Sequence, residues 1–137
     1  EIVTKLDEEI LVKGFPNEFL QSLMNIINNC LDALEKSNIE DRIIYIETKI
    51  DEDIEIIIAD NGNGIDSNII KNIFEPYTTT KHKSAGVGLG LHMAYRIINE
   101  KMNGQIYGQN SYMSSDGLLF EGACIKIILK NEDGIPL

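Results

Sequence analysis

The sequence predicts an α+β fold of two layers, in which one mixed, mainly antiparallel β-sheet is covered on one face by about three helices. Three observations predict it. The stretch "FPNEFLQSLMNIINNCLDALEKS" repeats apolar residues at helical spacing, through Phe19, Leu23, Ile26, Ile27, Cys30 and Leu34. The runs "RIIYIETKI" and "IEIIIAD" are two strands closed into a hairpin by the acidic turn Asp51-Glu52-Asp53. "GQIYGQNS" and "LLFEGACIKIILK" then supply two more strands.

Taken in order, residues 1–14 form one or two short edge elements. The first helix follows, with Asn17 as its expected cap. In the hairpin, the second strand is nearly all Ile, so it belongs at the centre of the sheet with both faces buried. "DSNIIKNIF" predicts a short helix capped by Asp66 or Ser67 and ended by Pro76. A third helix starts inside "GVGLGL" and runs to about Met102, with Gly104 as its stop. The last two strands are joined by the turn Ser114-Ser115-Asp116-Gly117.

At 137 residues, 43% of them hydrophobic, residues 1–137 are expected to make a single globular domain with a real core. The first residue is Glu1, so the chain reads as a piece of a longer protein. No apolar run approaches 18 residues and no signal-peptide pattern is present, so the piece is expected to be soluble, while its parent protein can still be membrane-anchored; the expected location of the domain is cytoplasmic. A net charge of −10 argues against nucleic acid or an anionic membrane surface as the main partner. Yet from Pro76 to Asn99 there is no Asp or Glu, while Lys81, Lys83 and Arg96 are present. An acidic protein that holds a polyphosphate needs such a gap in its own field. Cys30 and Cys124 sit singly among apolar neighbours and read as buried thiols of a reducing compartment.

Three motifs carry chemistry. On the first helix, Gln21, Asn25, Asn29 and Asp32 fall in one stripe opposite the apolar arc. A solvated face is one explanation, but Asn is a poor helix former and adds nothing to an exposed face. Amide oxygens suit a hard cation such as Mg²⁺ shared with phosphates and water. Next, in "ADNGNGI", Asp60 ends the buried Ile strand and Gly62 and Gly64 follow. A carboxylate there is costly unless it accepts hydrogen bonds, and adenine's exocyclic amine is a suitable donor. A tight turn would use the same residues. Third, "IFEPYTTTKHKSAGVGLGL" sets hydroxyls, ammonium groups and a glycine-rich helix start in sequence, all suited to phosphate oxygens or to a flexible surface loop. The glycine run lacks the spacing of a dinucleotide fingerprint and the Gly-Lys-Ser/Thr end of a P-loop.

In this order, the motifs resemble the boxes of the ATP-binding catalytic domain of sensor histidine kinases. That family is grouped with the ATPase domains of gyrase, mismatch-repair proteins and a heat-shock chaperone. The resemblance runs from about Phe15 to Leu129: "LMNIINNCLDAL" is similar to the asparagine box, "DNGNGI" and "GVGLGL" to the two glycine boxes, and "IFEPYTTTK" to the phenylalanine box. "GACIKIIL" resembles the family's last strand. It implies the Bergerat-type ATP-binding fold, with ATP and Mg²⁺ as cofactors. It also implies the roles. Asn29 would bind the metal, Asn25 would help to place the phosphates, and Asp32 and Ala33 would lie along the same site. Asp60 would bond adenine in a pocket shaped by Gly62, Gly64 and Ile65. Phe74 would anchor the base of a lid over residues 76–91. Thr79, Thr80 and Lys81 would approach the phosphates, with Asn29 and Lys81 as the catalytic pair. Gly86, Val87, Gly88, Leu89, Gly90 and Leu91 would wrap the triphosphate.

Some positions depart from the family pattern. Hydrolysing relatives carry Glu four residues before the metal Asn, where this chain has Asn25, which cannot take a proton. That favours transfer to an acceptor over hydrolysis. Asp32 stands where many sensor kinases have a basic residue, and His92 where small residues are common. Neither His82 nor His92 has the acidic neighbour and long helix typical of an acceptor histidine. The resemblance therefore implies half of an enzyme, whose partners are the phosphoacceptor and dimerisation domain of the same kinase and, through it, a response regulator. The alternatives are a serine-phosphorylating kinase of the anti-sigma type and a non-catalytic switch driven by ATP.

Overall fold

The structure is a computed structural model and describes residues 1–6, 10, 12, 14–76 and 90–131. Among them a five-stranded sheet runs in the order β1-β2-β3-β7-β4, from β1 (Ile2–Lys5), β2 (Ile44–Ile50), β3 (Asp53–Asp60), β7 (Cys124–Lys130) and β4 (Gln105–Gln109). β1 pairs parallel with β2 and every other pairing is antiparallel, so the sheet is mixed as expected. The isoleucine strand β3 is central, and Ile54 and Ile58 on one face and Ile57 and Ala59 on the other are all buried.

One face of the sheet packs against α1 (Pro16–Lys36) and α2 (Gly90–Tyr95). The i, i+4 ladder Ile26, Cys30, Leu34 faces inward and meets Ile44, Ile58, Ile125 and Ile127. The opposite face carries a second cluster in which Tyr45, Ile57 and Cys124 lie under a two-stranded ribbon, β5 (Tyr112–Met113) and β6 (Leu119–Phe120). The Tyr45 ring stacks on Phe120 with centroids 4.8 Å apart.

Several local expectations are corrected. The cap of α1 is Phe15, not Asn17, because Pro16 takes the first helical position, where its missing N–H costs nothing. The helix expected over "DSNIIKNIF" is a single 3₁₀ turn, Ile70–Asn72. Its cap is Ile69 with no side-chain cap bond, so neither Asp66 nor Ser67 caps it; Asp66 heads the preceding turn instead, its Oδ1 accepting the Asn68 N–H at 2.8 Å. α2 is described from Gly90 and continues as a π-helix over Arg96–Lys101. Its stop is Asn103, which takes the left-handed conformation at φ 55°, rather than Gly104. The turn at Ser114–Gly117 is present, but the strands it joins are the separate ribbon, not β4 and β7.

Candidate functional site

A cavity of about 360 Å³ opens between α1, the tip of β3, the loop after it and the first residues of α2. The α1 ladder that fixes the core leaves Asn29 and Ala33 on the helix flank beside it, and both line the cavity together with Cys30. Asp60, Gly64, Ile65 and Leu91 line it as well. The volume suits a drug-sized ligand.

Asp60 dominates the electrostatics. It is 1% exposed, and its Oδ1 accepts the N–H of Gly62 at 2.8 Å and of Ala123 at 3.3 Å. Its Oδ2 is buried with no hydrogen-bond partner among the described residues. Burial pushes the Asp60 carboxyl above its ordinary value of 3.8, against the opposing pull of the Gly62 and Ala123 N–H groups and the Cys30 thiol. A buried acceptor left unsatisfied is costly, and a ligand or an ordered water that brings the missing donor removes that cost.

The loop after β3 is held by amides. Asn61 Nδ2 donates to the Asp41 carbonyl at 2.8 Å, and its Oδ1 accepts the Ile43 N–H at 2.9 Å. Asn110, after β4, accepts the Ile65 N–H at 2.6 Å and donates back to the Ile65 carbonyl at 2.8 Å. Gly64 sits at φ +80°, where a side chain is strained, and a Cβ there would lie 3.0 Å from Asn110 Oδ1. The cavity's edge at Gly64 and Ile65 is thus held in place by the Asn110 amide.

Other expected residues fall elsewhere. Gly62 serves the cavity indirectly, as the donor to Asp60. Asn25 is not in the lining: its Oδ1 accepts from Gln21 at 3.0 Å and its Nδ2 donates to the Gly90 carbonyl at 3.3 Å, which ties α1 to α2. Asp32 is exposed on α1 and also stands outside the lining. Phe74 packs its ring on Tyr95, centroids 6.0 Å apart, behind the wall and not in it. Thr79, Thr80, Lys81, Gly86, Val87, Gly88 and Leu89 lie outside the described residues. The site also includes residues that sequence reasoning missed: Lys36, Asn63 and Asp66 at the rim, and Ile73, Ala123 and Ile125 in the wall. Lys36 had a signal, since it lies two helical turns from Asn29 on the same side of α1. Ala123 had only "GACIKIIL" to mark it.

The donor set bears on cofactors. The orphaned Asp60 Oδ2 fits the amine of adenine. Among the described residues no group of three or more His, Cys, Asp or Glu could hold a metal ion. A cation here would rest on the Asn29 amide together with ligand phosphates and water, a set that suits Mg²⁺.

Residues 14–133 match the family model described as histidine kinase-, DNA gyrase B-, and HSP90-like ATPase. Among curated proteins, the chain is 38% identical over 102 residues to the signal transduction histidine-protein kinase AtoS of Escherichia coli, covering 72% of this chain and 16% of that protein. It is 32% identical over 91 residues to sporulation kinase A of Bacillus subtilis, covering 66% and 14%. The chain spans between 12% and 19% of the length of the first relatives it matches. In fold it is similar to the mycobacterial sensor histidine kinase MprB, with a TM-score of 0.75 at 20% identity over 95% of this chain and 82% of that one. The catalytic domain of histidine kinase ThkA gives a TM-score of 0.73 at 23% identity over 95% and 78%.

Proposed function

The chain belongs to the family of histidine kinase-, DNA gyrase B-, and HSP90-like ATPases, and from that premise we propose that it is the domain of a sensor histidine kinase that holds Mg-ATP and presents the γ-phosphate to a histidine on a separate phosphoacceptor domain. The observation that carries the reading is the Oδ2 of Asp60, buried and without a partner among the described residues, in the same cavity as Asn29.

Bound Mg-ATP supplies the transferable phosphoryl group and a cation that offsets phosphate charge. The chain's own part is to bind and orient. Asp60 Oδ2 accepts from the adenine amine, Ile65 and Ile73 give the base an apolar seat, and Asn29 offers an amide oxygen to the cation. Thr79, Thr80, Lys81 and the glycine run through Leu91 complete the phosphate contacts in this reading. Asn25 argues for transfer over hydrolysis. Its amide is already engaged with Gln21 and Gly90, so the position holds no base to activate water.

The wider reading places the domain in two-component signalling in the cytoplasm, passing phosphate from the acceptor domain to a response regulator, with no role for nucleic acid. No helix among the described residues is long and apolar enough to cross a membrane. Calorimetric titration with Mg-ATP and Mg-GTP tests the site: the expectation is at least roughly tenfold preference for ATP, since guanine offers a carbonyl where adenine offers an amine. Equal affinity for the two refutes the assignment of Asp60. Incubation of the full-length kinase with labelled ATP tests the transfer, and an acid-stable phosphoprotein would point to serine instead.

A further inference from the structure

We infer that His92, which does not line the cavity, is a positioning residue that sets the separation of two of its walls; this rests on the nucleotide-binding reading above. One wall follows the Ile70–Asn72 turn and contributes Ile73, and the other is the start of α2 and contributes Leu91. In each case the next residue makes the tie. His92 Nδ1 lies 2.9 Å from the carbonyl oxygen of Phe74. A carbonyl only accepts, so Nδ1 carries the proton and donates.

The same residue is held a second time, because the Phe74 ring lies on Tyr95 at an interplanar angle of 25°. α2 thus grips residue 74 by its backbone and by its side chain. Consecutive Cα atoms are about 3.8 Å apart, so a shift of Phe74 against His92 is passed directly to Ile73 against Leu91. The Asn25 bond to Gly90 fixes α2 to α1 independently, so losing the histidine leaves α2 in place and residue 74 tied to it by the ring on Tyr95 alone.

Three variants test this: His92→Ala removes the donor, His92→Asn keeps an amide N–H near the place of Nδ1, and His92→Gln carries its N–H one bond further out. Thermal unfolding without nucleotide is measured beside calorimetric affinity for Mg-ATP. The expected result is roughly threefold to tenfold weaker binding for Ala and Gln, with Asn within about twofold of the parent. A lowered melting temperature with unchanged affinity in His92→Ala overturns the inference, as does an Asn variant as weak as Ala. If the parent chain itself fails to bind Mg-ATP, the nucleotide reading falls and takes this inference with it. An unaffected Ala variant of a binding parent overturns this inference alone.

Discussion

Asp60 and Glu47 sit on opposite faces of one sheet, each 1% exposed, and of the two only Asp60 keeps a buried oxygen with no donor among the described residues. Glu47 Oε1 accepts the hydroxyls of Tyr45 at 2.8 Å and Tyr112 at 2.9 Å, and the Ser115 N–H at 3.4 Å. Burial raises its carboxyl, but these donors together outweigh it and leave the group below its ordinary value of 4.5. Asp60, with Oδ2 unpartnered, is moved the other way. Donors gathered on Glu47, and an oxygen without one on the more deeply set Asp60, separate a carboxylate that locks the fold from one suited to a ligand.

Asp60→Asn should therefore stabilise the ligand-free chain while weakening ATP. The amide keeps an oxygen for the Gly62 and Ala123 N–H groups and removes a buried charge, but it turns an N–H toward the adenine amine. Affinity should fall roughly tenfold to a hundredfold. The stability gain should depend on pH. Because the folded-state carboxyl is raised, the folded parent takes up a proton that its unfolded chain binds only near 3.8. The parent's penalty is present at neutral pH and fades as pH falls toward that value. Urea unfolding of both proteins at pH 7.5 and pH 5 checks this, and a gap that widens on acidification contradicts it.

Glu47→Gln should do the reverse. Losing charge-assisted bonds from two phenols should cost about 1–3 kcal/mol at neutral pH. The folded-state carboxyl is lowered, so its contribution is present above 4.5 and is lost as pH falls through the folded value. The parent and variant should thus converge in acid. ATP affinity should stay unchanged, because the cluster lies across the sheet from the cavity. A Gln variant that loses nucleotide binding while remaining folded argues against this division of labour.

Gly122 is where β7's approach leaves no space. The Asp60 N–H donates to the Ala123 carbonyl at 2.9 Å, and a Cβ on Gly122 would lie 2.2 Å from the Asp60 carbonyl oxygen. Backbone cannot yield as a side chain tip can. Gly122→Ala should cost about 1–3 kcal/mol and displace Asp60, lowering melting temperature and ATP affinity together. Loss of one without the other would separate the β3–β7 junction from the site.

Much of this was legible in the sequence where a residue contradicted its surroundings. A carboxylate ending an isoleucine strand and a run of poor helix formers striping a helix are both out of keeping with their surroundings, which is why Asp60 and Asn29 could be singled out. Residues recruited across the chain carried no such mark. Asn110 reaches Ile65 over 45 positions, and Ala123 meets Asp60 only through the β3–β7 register. Asn25 belongs to the same stripe as Asn29, yet its amide is spent on Gly90, a long-range contact that helical spacing cannot reveal. The ribbon β5–β6 was hidden for a related reason: "LLF" and "ACIKIIL" read as one apolar strand until Gly122 separates them.

Asn29→Ala tests the cation. Asn29 is a half-buried residue of the cavity wall, on the α1 flank beside the core ladder, so its truncation should leave the fold intact. Its contribution should be confined to the metal-dependent part of binding. In the parent, ATP should bind more tightly with Mg²⁺ than with EDTA. In Asn29→Ala that difference should shrink by about tenfold or more, the usual scale for disturbing a metal's ligands. Adenosine, which has no phosphates to share a cation, should bind both proteins equally, because Asp60 is untouched. If adenosine is lost as well, the substitution has disturbed the base pocket; if Mg²⁺ dependence survives, the metal is held by other groups.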